Sequence, residues 1–395
     1  MTDNTSNTNE KNVTAGTDNT DHWGGAGNAD VPGGSVNGVP SAETARPGGA
    51  GRYDVVVVGG GAAGLSGALT LARARRSVLV VDAGRPRNAP AAQVHGYLGR
   101  DGVPPAELLA TGREEVARYG GEVREGTVVT VERPAAGGFR VLLDGGAPAA
   151  HADRLLVTTG LADELPELPG VAELWGRDVL HCPYCHGWEV RDRAIGVLST
   201  GPLAVHQALL WRQWSDDVTL FLHTGPEPDD EQYEQLAARG VAVVDGEVAG
   251  LDLTGQGRLG GVRLASGRVI PRDALTVASR LTGRAGVLEG LGLTATGREM
   301  AGHVVGSQVA ADPSGATEVP GVWVAGNVAD ITGQVAGAVA AGLLAGAAIN
   351  ADLLAEETRR AVAARRGGGG VFTAAAEREV AERVLGSARH GLPRP

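Results

Sequence analysis

The arrangement that most restricts this chain is Gly59-x-Gly61-x-x-Gly64, set between an unbroken β-branched run and an apolar, helix-like stretch. The run Asp54-Val55-Val56-Val57-Val58 has no polar alternation, as expected of a strand buried on both faces. Residues 63–75 then read as a helix, and residues 77–81 form a second apolar run that ends at Asp82. In such a strand–glycine–helix unit the first glycine permits a tight turn, and the second lets the backbone approach a pyrophosphate. The third lets helix and strand pack closely, while the helix N-terminus, with Ala62 just ahead of it, faces the anion. A carboxylate at the end of the next strand, roughly 20 residues on, can accept from ribose hydroxyls, and Asp82 stands there. A glycine pattern alone is also compatible with a merely structural turn. Strand, helix and terminal acid together favour dinucleotide binding, without separating FAD from NAD.

A second unit begins at Ala194-Ile195-Gly196-Val197-Leu198, passes Gly201, and continues into the helix-like run from Ala204 to Trp211 and the strand-like Val218-Thr219-Leu220-Phe221-Leu222. A third short strand, Gly321-Val322-Trp323-Val324-Ala325, runs into Gly326 and Asn327. The pattern predicts an α/β chain with two Rossmann-like nucleotide-binding domains. Residues 1–51 lack periodicity and read as a disordered tail, and the run Arg365-Arg366-Gly367-Gly368-Gly369-Gly370 reads as a flexible linker. Residues 373–389 read as a short polar helix without an assignable role. The Gly- and Ala-rich stretch 335–349 falls short of roughly 18–20 strongly apolar residues, so a tightly packed buried helix is expected rather than a membrane span. A net charge of −11 argues against nucleic acid as a partner, since duplex binding needs a positive footprint.

The chain has two cysteines, both in His181-Cys182-Pro183-Tyr184-Cys185-His186. With no wider cysteine framework and no apolar N-terminal run, a cytoplasmic location is expected. A Cys-x-x-Cys turn brings two sulfurs within disulfide reach and lowers the pKa of one thiol. The thiolate attacks a disulfide and the second thiol resolves the mixed species. His186 is placed to move the proton, because imidazole titrates near neutral pH. Three plainer readings compete: a structural disulfide, a zinc site and two inert buried cysteines. So small a loop contributes little entropy when closed, and His181, Cys182, Cys185 and His186 lie too close in sequence to surround one ion, so no metal is expected. Redox activity is the favoured reading. Tyr184 and Trp188 border the pair with no use assigned.

With these pieces in order, the sequence resembles the low-molecular-weight thioredoxin reductase family of flavoproteins over about residues 53–355. The resemblance implies an FAD domain that is discontinuous, residues 52–165 and 289–356, and an inserted NAD(P)H-like domain, residues 166–288, carrying the dithiol. Residues 357–395 remain as linker and tail. It further implies that Cys185 faces the flavin, that Cys182 exchanges with substrate, and that Asp82 holds the adenosine ribose. Gly326, Asn327, Gln334 and Val335 would line the flavin, while Gly201 and Ala204 would belong to the nicotinamide site, for NADPH or NADH. A homodimer acting on a thioredoxin-like protein or a small-molecule disulfide or dithiol follows from the same likeness.

Several positions depart from the family pattern. His186 and Asn327 stand where it has aspartates. The second loop reads Ser199-Thr200-Gly201-Pro202-Leu203-Ala204, retaining only one glycine and the alanine, and His223-Thr224-Gly225 replaces a His-Arg-Arg run that grips the 2′-phosphate of NADPH. Arg87, Asn88 and His95, with Cys-x-x-Cys-His-Gly, are more similar to the gliotoxin- and holomycin-type dithiol-oxidase branch, in which Asn88 and His95 would join the cofactor site. The leading expectation is a reductase carrying electrons from NAD(P)H through FAD and Cys182–Cys185 to a disulfide. The alternative is an oxidase that takes electrons from a small dithiol and gives them to oxygen. A non-enzymatic flavin-bound redox sensor is a third possibility, with nothing specific in the sequence to favour it.

Overall fold

The computed structural model describes residues 51–146, 150–300, 302–367 and 373–385. The expected tail therefore lies, except for Gly51, outside the described residues, as do 368–370 of the expected linker and 386–389 of the last helix.

Two large sheets organise the chain, the first mixed and the second all parallel. The first is seven-stranded and contains Arg52–Val58, flanked in parallel by Val78–Asp82 and Ala150–Val157. The late strand Val322–Val324 pairs in parallel with the end of Ala150–Val157, Val324 opposite Val157, so the last part of the chain completes the sheet that the first part began. The second sheet is five-stranded, with Ile195–Leu198 at its centre between Val218–Phe221 and Ala274–Val277. Leu161–Glu164 and Arg280–Gly283 run antiparallel, Asp163 opposite Leu281, where the chain leaves the first sheet and returns. This is the discontinuous arrangement with an inserted domain. The dithiol, between Val179–Leu180 and Ile195–Leu198, belongs to the insert.

The valine run explains why the first sheet sits at the centre. Val56 and Val58 face one apolar cluster with Leu79, Val81 and Val128, while Val55 and Val57 face another with Leu65, Leu71 and Ile349. A strand that buries alternate residues into two cores needs apolar side chains at every position. Each buried valine contributes about 1.5–3 kcal/mol relative to leaving it in water. The central strand of the second sheet repeats the pattern, with Ile195 and Val197 in one cluster and Leu198 in the other.

The helix from Val335 to Gly367 differs from expectation in two respects. One face packs on the helix Ala62–Arg73 at backbone distance: a Cβ on Gly342 would lie 2.0 Å from the Ala63 carbonyl oxygen, and one on Gly346 would lie 2.8 Å from that of Gly67. The opposite face is open rather than buried, with Leu343 and Leu344 about half exposed. The helix is long and apolar enough to cross a membrane by length and composition, but that packed glycine face belongs to the first sheet's own layer. It also runs on through Arg365, Arg366 and Gly367, where a linker was expected. Arg154 pairs with Asp352 and Glu356, and Arg76 with Asn350 and Glu357, so the middle of the helix is tied to the sheet layer. The polar helix expected near the end is present as Ala374–Leu385.

Candidate active site

The first glycine loop is shaped by contacts that only glycine permits. Gly59 has φ +103°, and a Cβ there would lie 2.5 Å from the Thr158 carbonyl oxygen. A Cβ on Gly64 would lie 1.9 Å from the carbonyl oxygen of Gly59, so this residue stands behind the loop and lets helix and strand close up. Gly61, by contrast, has open space where its Cβ would be, and it caps the helix Ala62–Arg73 without any side-chain hydrogen bond. The first-turn amides are therefore left to an anion. Asp82 accepts a hydrogen bond from the Gly60 amide at 3.1 Å, which holds its carboxylate beside the loop. The Thr158 hydroxyl donates to the Gly59 carbonyl oxygen at 2.7 Å and fixes the turn from the neighbouring strand.

A cavity of about 1000 Å³ opens in front of this loop. It is lined by Gly59, Gly61, Ala62, Asp82, Asn88 and His95, by Gly326, Asn327, Gln334 and Val335, by Cys182, Cys185 and His186, and by Gly201 and Ala204. Every site residue expected from the sequence except Gly64 therefore meets at one cavity. Its volume lies at the upper end of ligand pockets, as an extended dinucleotide requires. The open space at Gly61, the acid at the strand end and the volume of the cavity fit FAD. Gly326, at φ +73°, turns the late strand against Ala63, bringing the helix that begins at Val335 to the other end of the cavity. Asn327 differs in one respect from its implied place: its side-chain amide donates to the carbonyls of Asp330 and Gly333 and shapes the loop itself.

Cys182 is the cap residue of the short helix Pro183–His186, with Pro183 at its first position where a missing amide costs nothing. The amides of Cys185 and His186 both donate to the Cys182 carbonyl at 3.2 Å, which folds the two side chains to the same side. The Cys185 thiol donates to Cys182 Sγ across 2.7 Å. This bond, with help from the backbone amides of Cys185 and Tyr184 and from the Arg87 charge, brings Cys182 down to about 7 against the pull of burial. Cys185 is pushed strongly upward, because it holds the shared proton and is itself buried. One thiolate and one thiol is the arrangement that disulfide exchange needs. Burial lowers His186, opposed by Glu189, leaving it a neutral proton acceptor at pH 7. The Gln334 side-chain nitrogen stands 3.9 Å from Cys182 Sγ, so the start of the late helix reaches the dithiol. His95 faces Asp101 and Glu189, each at 3.4 Å.

The second loop is a different object. The Ser199 side chain sits where Gly225 packs, so closely that a Cβ on Gly225 would lie 1.9 Å from its hydroxyl. The Thr200 hydroxyl is turned to the Ala278 carbonyl at 3.3 Å. Pro202 removes one backbone donor from the stretch that would cradle a phosphate. Beyond the next strand, His223 has φ +46° and accepts from the Val248 amide, and Asp229 and Asp230 follow. Gly201 and Ala204 line the cavity, but no arginine pair stands at 223–225.

Sequence reasoning named Arg87 only as part of a family likeness and gave His181 no role. Both line the cavity. Arg87 pairs bidentately with the buried Asp163, at 2.7 Å for each bond, and Ser279 donates to the same carboxylate at 2.9 Å. Their sequence separations carry no local signal, so the cluster exists only once the connecting strands pair. His181 adjoins Cys182, and its position beside the dithiol was the available clue.

The chain matches the family described as pyridine nucleotide-disulphide oxidoreductase over residues 53–342. It is similar to HlmI, whose crystal structure shares 47% identity and a TM-score of 0.74, covering 81% of this chain and 98% of that one. An oxidoreductase from Agrobacterium tumefaciens is 39% identical with a TM-score of 0.70, covering 77% and 99% respectively. A thioredoxin reductase of Claviceps purpurea, tcpT, is 32% identical over 316 residues, which are 77% of this chain and 95% of that protein. The chain belongs to the pyridine nucleotide-disulphide oxidoreductase family. Within it, this is a thioredoxin reductase-like enzyme, and the cofactors of the class are FAD and a nicotinamide nucleotide.

Proposed function

We propose that Cys182 and Cys185 exchange with a substrate disulfide while FAD lies along the first glycine loop, with Asp82 on the ribose and Gly326, Gln334 and Val335 beside the ring. The observation that carries this reading is the asymmetric dithiol opening onto the same cavity as that loop. When bound, FAD supplies a two-electron relay between NAD(P)H and the cysteine pair. The Cys182 thiolate attacks one sulfur of the substrate disulfide, forming a mixed disulfide and releasing the first thiolate. Cys185 then attacks Cys182 Sγ, closing the Cys182–Cys185 disulfide and releasing the second thiolate, and its proton passes to neutral His186. The substrate is a thioredoxin-like protein or a small-molecule disulfide.

The worn second loop favours a second reading with the flow reversed. There a small dithiol is oxidised to its disulfide, the Cys182–Cys185 disulfide is reduced, and dioxygen takes the two electrons as peroxide. Anaerobic titration of the yellow protein separates the two. Bleaching by NADPH or NADH supports the reductase; bleaching only by a dithiol, with colour restored by air, supports the oxidase. Loss of neither colour nor disulfide under either donor sinks both.

The acidic net charge supports a chain that does not bind nucleic acid, and a dithiol that works reduced suits the cytoplasm. We read the chain as a homodimer outside the membrane, a reading supported by the half-exposed Leu343, Leu344 and Leu354 on a helix already packed along its other face. Sedimentation of the FAD-loaded protein tests this.

A further inference from the structure

We infer that Arg87 is a positioning residue for the dithiol: clamped between Asp163 and the cavity, it holds a fixed positive charge toward Cys182 and Cys185. Three separate stretches of chain meet there. Arg87 follows the strand Val78–Asp82, Asp163 lies on Leu161–Glu164, and Ser279 immediately precedes Arg280–Gly283. The last two are the strands by which the insert leaves and rejoins the first sheet. The side chain of Asp163 is 7% exposed and receives two bonds from Arg87 and one from Ser279. A buried bidentate pair holds a guanidinium with little freedom, which an unpaired arginine at a cavity wall would not have. The clamp thus fixes both the orientation of the insert's stalk and the charge in front of the sulfurs.

Several groups face the cysteines. Cys182 shares a hydrogen bond with Cys185 and lies 3.9 Å from the neutral Gln334 amide, His181 and His186 flank the pair in sequence, and the field of Arg87 reaches both sulfurs. Asp163 stands behind Arg87 and toward His181, and Glu189 and His95 stand toward His186. Burial lowers both His181 and His186, and at His181 the Arg87 charge acts in the same direction. Burial of Asp163 acts upward, but Arg87 and Ser279 bring it below the usual carboxylate range, so the clamp stays ionised through the pH range in which Cys182 titrates.

The charge and the clamp predict opposite signs in two substitutions. Arg87→Gln removes the cation and leaves Asp163 negative, so the Cys182 thiol is expected to titrate about half a unit to one unit higher. Asp163→Asn removes the compensating anion and leaves the cation, so the same thiol is expected to titrate lower by a similar amount. Arg87→Lys keeps the charge and is expected near the parent value. The inference rests on Cys182 being the exchanging thiol, yet the readout needs no turnover. The FAD-loaded protein is reduced, freed of reductant under nitrogen, and alkylated with iodoacetamide across a pH series, with Cys182 followed by peptide mass spectrometry. Opposite shifts in the two variants support the inference. Equal shifts of one sign, or none, overturn it, because a purely structural clamp would disturb both variants alike. If Arg87→Gln does not fold, the downward shift in Asp163→Asn and the unshifted Arg87→Lys decide alone. A parent protein whose Cys182 shows no pH-dependent alkylation overturns the exchanging-thiol reading and this inference with it.

Discussion

The two glycine loops share a topology and differ in what their residues are free to do. In the first, Gly59 and Gly64 are demanded by backbone contacts at 2.5 and 1.9 Å, while Gly61 faces open cavity. In the second, Ser199 packs against Gly225, Thr200 bonds to Ala278, Pro202 offers no amide, and a Cβ on Gly201 would meet nothing. Strand, turn and helix are present in both, since the Val and Ile runs and the following helices bury the same kind of surface. A sheet therefore secures the shape of a nucleotide site, but the shape becomes a site only where backbone donors are left unspent. The first loop keeps three glycines and an open position at Gly61; in the second, Pro202 removes an amide and Thr200 turns its hydroxyl to the Ala278 carbonyl.

Variants can break this contrast. The largest effect is expected at the dithiol: Cys182→Ser or Cys185→Ser should lower disulfide turnover at least about a hundredfold, since no second thiol resolves the exchange. Flavin absorbance should persist, because the first loop lies on other residues. A colourless variant, or one with full turnover, would undo the assignment of separate tasks. Next, Gly64→Ala should cost roughly 2–4 kcal/mol in unfolding free energy and empty the flavin site, as its methyl group meets a backbone carbonyl that cannot move aside. Gly201→Ala should leave thermal unfolding within about 0.5 kcal/mol of the parent, having ordinary φ and no neighbour to strike. If both alanines proved equally harmful, the loops would not differ as described.

A pH series places the dithiol within the same contrast. With Cys182 near 7, its thiolate is present above that pH and lost below it. Alkylation should therefore fall about tenfold per unit as pH drops below 7 and level off above it. A midpoint near the ordinary thiol value would mean that Cys185 does not donate to it. The smallest effect is expected at the second loop: without an arginine pair to read the 2′-phosphate, NADPH and NADH should reduce the flavin at rates within about tenfold of each other. A preference for NADPH beyond roughly a hundredfold would reveal a phosphate grip that the residues at 223–225 do not provide.

Much of the site was legible because its signals are local. The valine run, three glycines and Asp82 lie within one βαβ unit, and Cys182 and Cys185 lie within one turn, so spacing alone implies their geometry. The ionic clamp was not legible: Asp163 and Ser279 meet Arg87 only through the pairing of two connecting strands. Asn327 could be placed at the cavity from its position after Gly326, but not the fact that its amide is spent on Asp330 and Gly333. The linker expected from Arg365 starts later, because Arg365 and Arg366 are good helix formers that carry the helix to Gly367, and Arg365 pairs with Glu377.

By itself the sequence determined the two sheets, the order of loop, dithiol and late strand, and the chemistry of the cysteine pair. These follow from periodicity and from steric needs that a residue meets with its nearest neighbours along the chain. Only the tertiary structure decided which donors remain free, which side chain shares a proton with which, and where a fixed charge stands. Those are properties of groups far apart in sequence, and they acquire a value only when folding has brought the groups within a few ångströms and removed the water between them.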